Sequence, residues 1–351
     1  MSWIQELARP DIVALKPYEH ASWEPTLERL HANELPWRHA HDDSHAGLNR
    51  YPEPQPRVLI ERLAELYAVT PAYVLAGRGS DEAIDLLTRA FCRAGRDAVL
   101  VCPPTFGMYS VSARIQGAEV AQVPLLAADG FALDEQTVLE RCTAAVKLVF
   151  LCSPNNPTGN LLDEAAILRI ARRLAGRALV VVDEAYLEFA GRPSLARLVA
   201  ELPNLAILRT LSKAHGLAGA RCGALIADPE VIALLRKIIP PYAIPQLTLE
   251  AVLDCLAPEA RSRSRAGVEV LLAERRRLLQ ALPKLPRVTK VWPSDANFIL
   301  AEFEDAGAAL ARAREARLLV RDARGYPGLG RALRMTVGTP EQNGRLLEAW
   351  T

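Results

Sequence analysis

Lysine is scarce in this chain: six residues stand against 36 arginines. Each lysine therefore invites the question of why it is not an arginine. Other absences narrow the field. The formal net charge is only +1, with both signs mixed along the chain, which gives no reason to expect a nucleic acid or an anionic membrane as partner. No run approaches the roughly 20 apolar residues of a membrane span. The opening residues, Met1 to Pro10, carry an early acid and lack the apolar core of a signal peptide, so a cytoplasmic protein is expected. None of the six cysteines forms a C-x-x-C pair; they read as reduced, buried thiols. Internal repeats and low-complexity tracts are missing beyond an enrichment in alanine and arginine.

At 351 residues, the chain exceeds the size at which single cores stop growing, about 250–300 residues. One large and one smaller domain are expected. Residues 1–50 hold several prolines (positions 10, 17, 25 and 36) and little periodicity. They read as an arm that packs elsewhere, against the small domain or a partner subunit. Residues 51–245 alternate apolar runs with helical patterns. The runs are 98–101, 146–151, 178–182, 205–208 and 224–227. Wholly apolar strands separated by helices predict a mostly parallel sheet covered on both faces, an α/β domain. Residues 246–351 mix a long arginine-rich helix, about 262–282, with strand-like runs at 298–300, 318–320 and 333–337, which reads as a small α+β domain.

Ligands of such sheets bind outside the carboxyl ends of the strands, and the informative residues fall there. Lys213 lies between the run 205–208 and a glycine-rich stretch that ends at Gly223. Desolvation lowers a lysine's pKa and makes its amine a nucleophile able to form a Schiff base. Asp183 ends the run 178–182. An amine and a carboxylate at adjacent strand ends are what pyridoxal 5'-phosphate (PLP) requires: the amine holds its aldehyde, and the carboxylate keeps its pyridine nitrogen protonated. Ser212 and Arg221 flank the lysine and would bind the cofactor phosphate. Ser80 and Asp81 follow Gly79 at a helix start, which suits either an anion site or a plain N-cap. The segment lacks the third glycine of a dinucleotide-binding G-x-G-x-x-G pattern. In Ser153-Pro154-Asn155-Asn156-Pro157-Thr158-Gly159, two asparagines stand between prolines. That placement suits a side chain fixed to hydrogen-bond the cofactor ring oxygen, which Tyr186 could also reach. Tyr109 could stack on a planar ring or fill a core. Arg321 and Arg334 sit in apolar strand sequence, where each needs either an anionic substrate or a salt bridge. The histidines at 39, 41 and 45 lie in the irregular arm without a regular element to fix ligand geometry, and no metal site is expected there.

Taken together, these motifs resemble the fold-type-I PLP enzymes of the aspartate aminotransferase superfamily. The segments 153–159, Val182-Asp183-Glu184-Ala185-Tyr186 and Ser212-Lys213 carry the likeness. Further segments are similar to the histidinol-phosphate aminotransferase family: 15–18, 31–34, 49–53, 78–82, 320–322 and 333–338. The resemblance implies a homodimer with a shared site and a transamination between histidinol phosphate and 2-oxoglutarate, yielding imidazole-acetol phosphate and glutamate in histidine biosynthesis. Lys213 would be the Schiff-base lysine and Asp183 the partner of the pyridine nitrogen. Asn156 and Tyr186 would hold the ring oxygen, and Tyr109 would stack on the ring. Ser80, Asp81, Ser212 and Arg221 would line the phosphate site, with Tyr51 reaching it from the other subunit. Tyr18, Asn33, Arg321 and Arg334 would bind substrate. Phe106 departs from a tyrosine common in its loop, and Leu35 from an asparagine or tyrosine. An aromatic amino-acid aminotransferase and a threonine-phosphate decarboxylase share the cofactor residues and remain alternatives. A non-catalytic PLP-fold module is another, although no DNA-binding segment precedes the fold.

Overall fold

A computed structural model describes residues 2–24 and 26–351; Met1 and the arm proline Pro25 lie outside the described residues. Seven strands make the large sheet: β1 (Val74–Gly77), β2 (Ala98–Val101), β3 (Glu119–Gln122), β4 (Val146–Cys152), β5 (Leu179–Asp183), β6 (Leu205–Thr210) and β7 (Gly223–Ile226). Their order is β1-β7-β6-β5-β4-β2-β3. The strands from β3 to β6 run parallel, while β7 is antiparallel to both β6 and β1. Every residue of β2, β5 and β6 is buried, as expected where helices cover both faces. The edge strand β3 instead exposes Glu119 and Gln122.

Successive residues of a strand point to opposite faces, and β5 divides its side chains accordingly. Val180 and Val182 pack with the helices Arg57–Tyr67 and Glu164–Arg173. Leu179 and Val181 pack with the helices Ser80–Phe91 and Met108–Gln116. Asp183 and Glu184, next in line, inherit this alternation.

Residues 3–14 differ from the expected arm. They form two short helices, and Ile4, Leu7 and Ala8 are buried in the large domain's own second core. Irregular chain begins only after them. At the other boundary, Leu249 and Val252 of the helix Gln246–Cys255 still belong to the large core.

The small sheet holds β8 (Val288–Val291), β9 (Phe298–Phe303), β10 (Arg321–Asp322) and β11 (Ala332–Thr336) in the order β10-β11-β9-β8, all antiparallel. Helices Pro258–Ala281, Ala306–Glu315 and Pro340–Trp350 cover it around Leu278, Phe303 and Trp350. The run 318–320 is not a strand. Pairing starts at Arg321, lasts two residues on the sheet edge, and leaves Leu319 87% exposed.

Candidate active site

The carboxyl ends of β4, β5 and β6 open into one cleft whose lining includes Asn156, Asp183, Tyr186, Ser212, Lys213 and Arg221. A larger cavity of about 750 Å³ lies beside Glu184 and the helix Glu164–Arg173. Its lining contains neither a lysine nor any of the candidate site residues at the strand ends.

Lys213 stands in the loop that leaves β6, its Nζ 5.7 Å from the centre of the Tyr186 ring. Burial lowers its pKa, and the Arg334 guanidinium adds to the effect. Both favour the neutral, nucleophilic amine. Asp183 lies at the floor, 3% exposed. Its Oδ1 accepts the Ala185 N–H (3.1 Å) and its Oδ2 accepts the Tyr109 hydroxyl (2.7 Å). Burial pushes its carboxyl up to about 6, against the pull of those two donors.

At the far end of the cleft, the helix Ser80–Phe91 begins on Gly79 (φ 87°) with no side chain capping its first N–H groups. Free amides at a helix start favour an anion. Arg221, itself at φ 55°, extends across this end: Nη1 lies 3.4 Å from Ser212 Oγ and Nη2 3.4 Å from Asp81 Oδ2. Thr210 Oγ1 donates to Ser212 Oγ (3.0 Å). The close approach of β7 makes the arrangement possible, because a Cβ on Gly223 would stand 2.9 Å from the Gly79 Cα.

The two asparagines of the proline loop divide their work. Asn155 is structural: it accepts from Thr105 Oγ1 (2.8 Å) and donates to the Pro104 carbonyl (2.8 Å). Asn156 faces the cleft, where Nδ2 donates to the Tyr186 hydroxyl (3.4 Å) and Oδ1 accepts from Arg334 Nη1. Arg334 thus links the small sheet to the rim of the cleft. It lies directly opposite Arg321 in the β10–β11 register.

One expected role is corrected. Tyr109 does not line the cleft. It is wholly buried beneath it, stacked on Phe150 at 4.8 Å and 4°. Phe106 is the aromatic that lines the cleft, and it meets Tyr109 edge-on at 5.6 Å. The helix starts at Met108, which turns Tyr109 down into the core on its first turn. Arg321 is exposed, not embedded, because β10 is an edge. Three further expected site residues lie outside this cleft. Tyr18 is exposed near Trp23 and Lys237, Asn33 is exposed at φ 56°, and Tyr51 stacks on Tyr242 (4.5 Å, 19°).

Sequence reasoning overlooked Phe106, Cys152 and Thr210 in the lining. It also passed over Arg209, whose signal was a charge between Leu208 and Leu211. Behind the cleft Arg209 pairs with Glu184 (2.8 Å) and Glu188 (2.6 Å) and lies over the Tyr67 ring.

The model of the aminotransferase class I and II family matches residues 25–349. A histidinol-phosphate aminotransferase of Stenotrophomonas maltophilia is 50% identical over 98% of this chain and 95% of its own length. The crystal structure of the histidinol-phosphate aminotransferase from Clostridium acetobutylicum superposes with a TM-score of 0.79 at 21% identity, covering 86% of this chain and 90% of that one. That of the Sinorhizobium meliloti enzyme, in complex with pyridoxal-5'-phosphate, gives 0.78 at 24% identity over 86% and 82%. Strand order, cleft and relatives agree, and the chain belongs to the aminotransferase class I and II family.

Proposed function

We propose that this protein is a PLP-dependent histidinol-phosphate aminotransferase with 2-oxoglutarate and glutamate as its second substrate pair. The observation that carries the substrate choice is the pair Arg321 and Arg334. Like charges directly opposite in an antiparallel pair repel, so the arrangement favours an anion between or beside them. Two guanidinium forks suit a dianionic phosphate. Arg334 also touches Asn156 at the rim of the cleft that holds Lys213. The relative from S. maltophilia bears the same activity in its name.

The residues of the cleft fit PLP at both ends. The uncapped helix start, Ser212 and Arg221 offer donors for a phosphate; Asp183 offers a buried carboxylate for a pyridine nitrogen. PLP, when bound, supplies the aldehyde and the electron-withdrawing ring on which amino groups are exchanged. Lys213 is the amine that holds the aldehyde, and its Nζ, once free, carries the proton between the substrate carbon and the cofactor carbon. Asp183 holds the proton on the pyridine nitrogen. Asn156 and Tyr186 offer donors to the ring oxygen. Phe106 supplies an apolar wall that excludes water.

Half-reactions followed by cofactor absorbance test this reading, with histidinol phosphate, phenylalanine and threonine phosphate as amino donors. Histidinol phosphate should be preferred. Losing one charge-assisted contact costs about 1.5–3 kcal/mol. Arg334→Ala should therefore lower kcat/KM on histidinol phosphate by roughly tenfold to more than a hundredfold, with a much smaller loss on phenylalanine. Equal losses, or a wild-type preference for phenylalanine, would favour an aromatic aminotransferase.

We also assign the working form as a cytoplasmic homodimer that shares its sites. Six free cysteines suit a reducing compartment, which cell fractionation can check. Trp23, Leu27, Leu30 and Trp37 of the arm are exposed, and Tyr51, 48% exposed, serves no group of its own cleft. Mixing inactive Lys213→Ala with inactive Tyr51→Ala chains should restore activity through hybrid dimers with one intact site. No recovery after verified subunit exchange would reject the shared site.

A further inference from the structure

We propose that Tyr109 is a positioning residue for Asp183: its hydroxyl holds the carboxylate from beneath the cleft and keeps it oriented toward the cofactor. The proposal rests on the cofactor reading above and gives Asp183 a partner that reading does not include.

The geometry is closed on every side. The Tyr109 ring is fixed by the parallel Phe150 ring below and the Phe106 edge beside it. The hydroxyl lies 2.7 Å from Asp183 Oδ2. The Ala185 N–H holds the other oxygen. Among the described residues these are the only two donors to the carboxylate. Rotation about the Asp183 side chain would break both contacts at once. Because the phenol is too deep to touch a ligand in the cleft, its effect must pass through Asp183.

A hydrogen bond to the ionised form favours that form. Around Asp183, the charges of Asp81, across the cleft, and Glu184, the next residue in the chain, work against ionisation. Cys152 on β4 is a thiol that burial keeps protonated. Tyr186 likewise stays neutral through burial. Lys213, in the loop after β6, is the nearby cation, and burial weakens its own charge. Tyr109 is therefore the chief side chain that keeps Asp183 able to hold a proton on another group rather than on itself.

The test compares Asp183 titration in the cofactor-free protein, read by carboxyl carbon NMR with ¹³C-labelled aspartate. The Asp183→Asn variant identifies the signal. In Tyr109→Phe, the midpoint should rise by about one to two pH units, the value of a hydrogen bond to a charged group. An unchanged midpoint overturns the proposal. If Tyr109→Phe does not fold, 3-fluorotyrosine at position 109 keeps the shape and gives a stronger donor. The midpoint should then fall, and again no movement overturns the proposal. This titration needs neither PLP nor substrate, so it stands apart from any failure of the proposed function. A second arm measures PLP dissociation in a double-mutant cycle. Tyr109→Phe should weaken PLP binding by about tenfold in the wild-type background and leave it unchanged beside Asp183→Asn. Equal weakening in both backgrounds would mean that the ring merely packs, and would also overturn the proposal.

Discussion

Asp183 and Glu184 are neighbours at the end of β5, equally buried, and they meet opposite fates. The strand's alternation sends Glu184 to the face of Tyr67, where Arg209 answers it at 2.8 Å and the Leu195 N–H donates at 2.8 Å. Burial works against the Arg209 cation, but Glu188 and Glu184 outweigh it and hold it charged. Asp183 goes to the face of Tyr109 and receives hydrogen bonds but no paired cation. Its carboxyl rises to about 6 as burial dominates. A buried carboxylate without a cation is costly. One residue of spacing thus separates a carboxylate paired with a cation inside the fold from a carboxylate at the cleft that has no cation paired to it.

Removing the cation should show the structural side first. Arg209→Met leaves the buried Glu184 without its cation and the half-buried Glu188 with only His215 nearby, a loss of about 3–5 kcal/mol in denaturant unfolding. A cost below about 1 kcal/mol would erase the contrast.

Asp183→Asn should do the reverse. Turnover should fall by about 10²–10³-fold, the scale of losing one preorganised electrostatic group, while the chain still folds and still binds PLP. Near-normal turnover would remove Asp183 from the chemistry. The cofactor-free wild-type protein carries the smaller effect. The native carboxyl titrates near 6 and the unfolded one near 4. The native state therefore binds the extra proton, and its contribution is full below about pH 4 and lost as pH rises through 6. The difference corresponds to up to about 3 kcal/mol. Wild-type stability should decline across that window relative to Asp183→Asn, which lacks the group. Parallel pH profiles of the two proteins would count against the assignment.

The sequence was most legible where burial was complete. The strands β2, β4, β5 and β6 read directly as apolar runs because both faces are covered. β3 and β8 did not, because they are partly exposed edges without an unbroken apolar signature, and the buried β1 was passed over as well. The ends of the strands gave away Lys213, Asp183 and Asn156 because polar groups there have few other reasons to interrupt apolar sequence. The exchange of places between Phe106 and Tyr109 was hidden, since only the start of the helix at Met108 decides which ring faces the cleft. Arg321 and Arg334 were recognised singly; their register as opposite partners belongs to the sheet and to no local pattern.

The position of β7 has a consequence for the order of assembly. β1 has no neighbour but β7, with Val74 opposite Ile226. Until β7 is in place between β6 and β1, the first strand has nothing to pair with, and Gly79 and Gly223 remain apart. Closing so long a loop is entropically unfavourable and is deferred until other contacts support it. The end of the cleft where Gly79 meets Gly223 is therefore expected to form late in the assembly of the large domain.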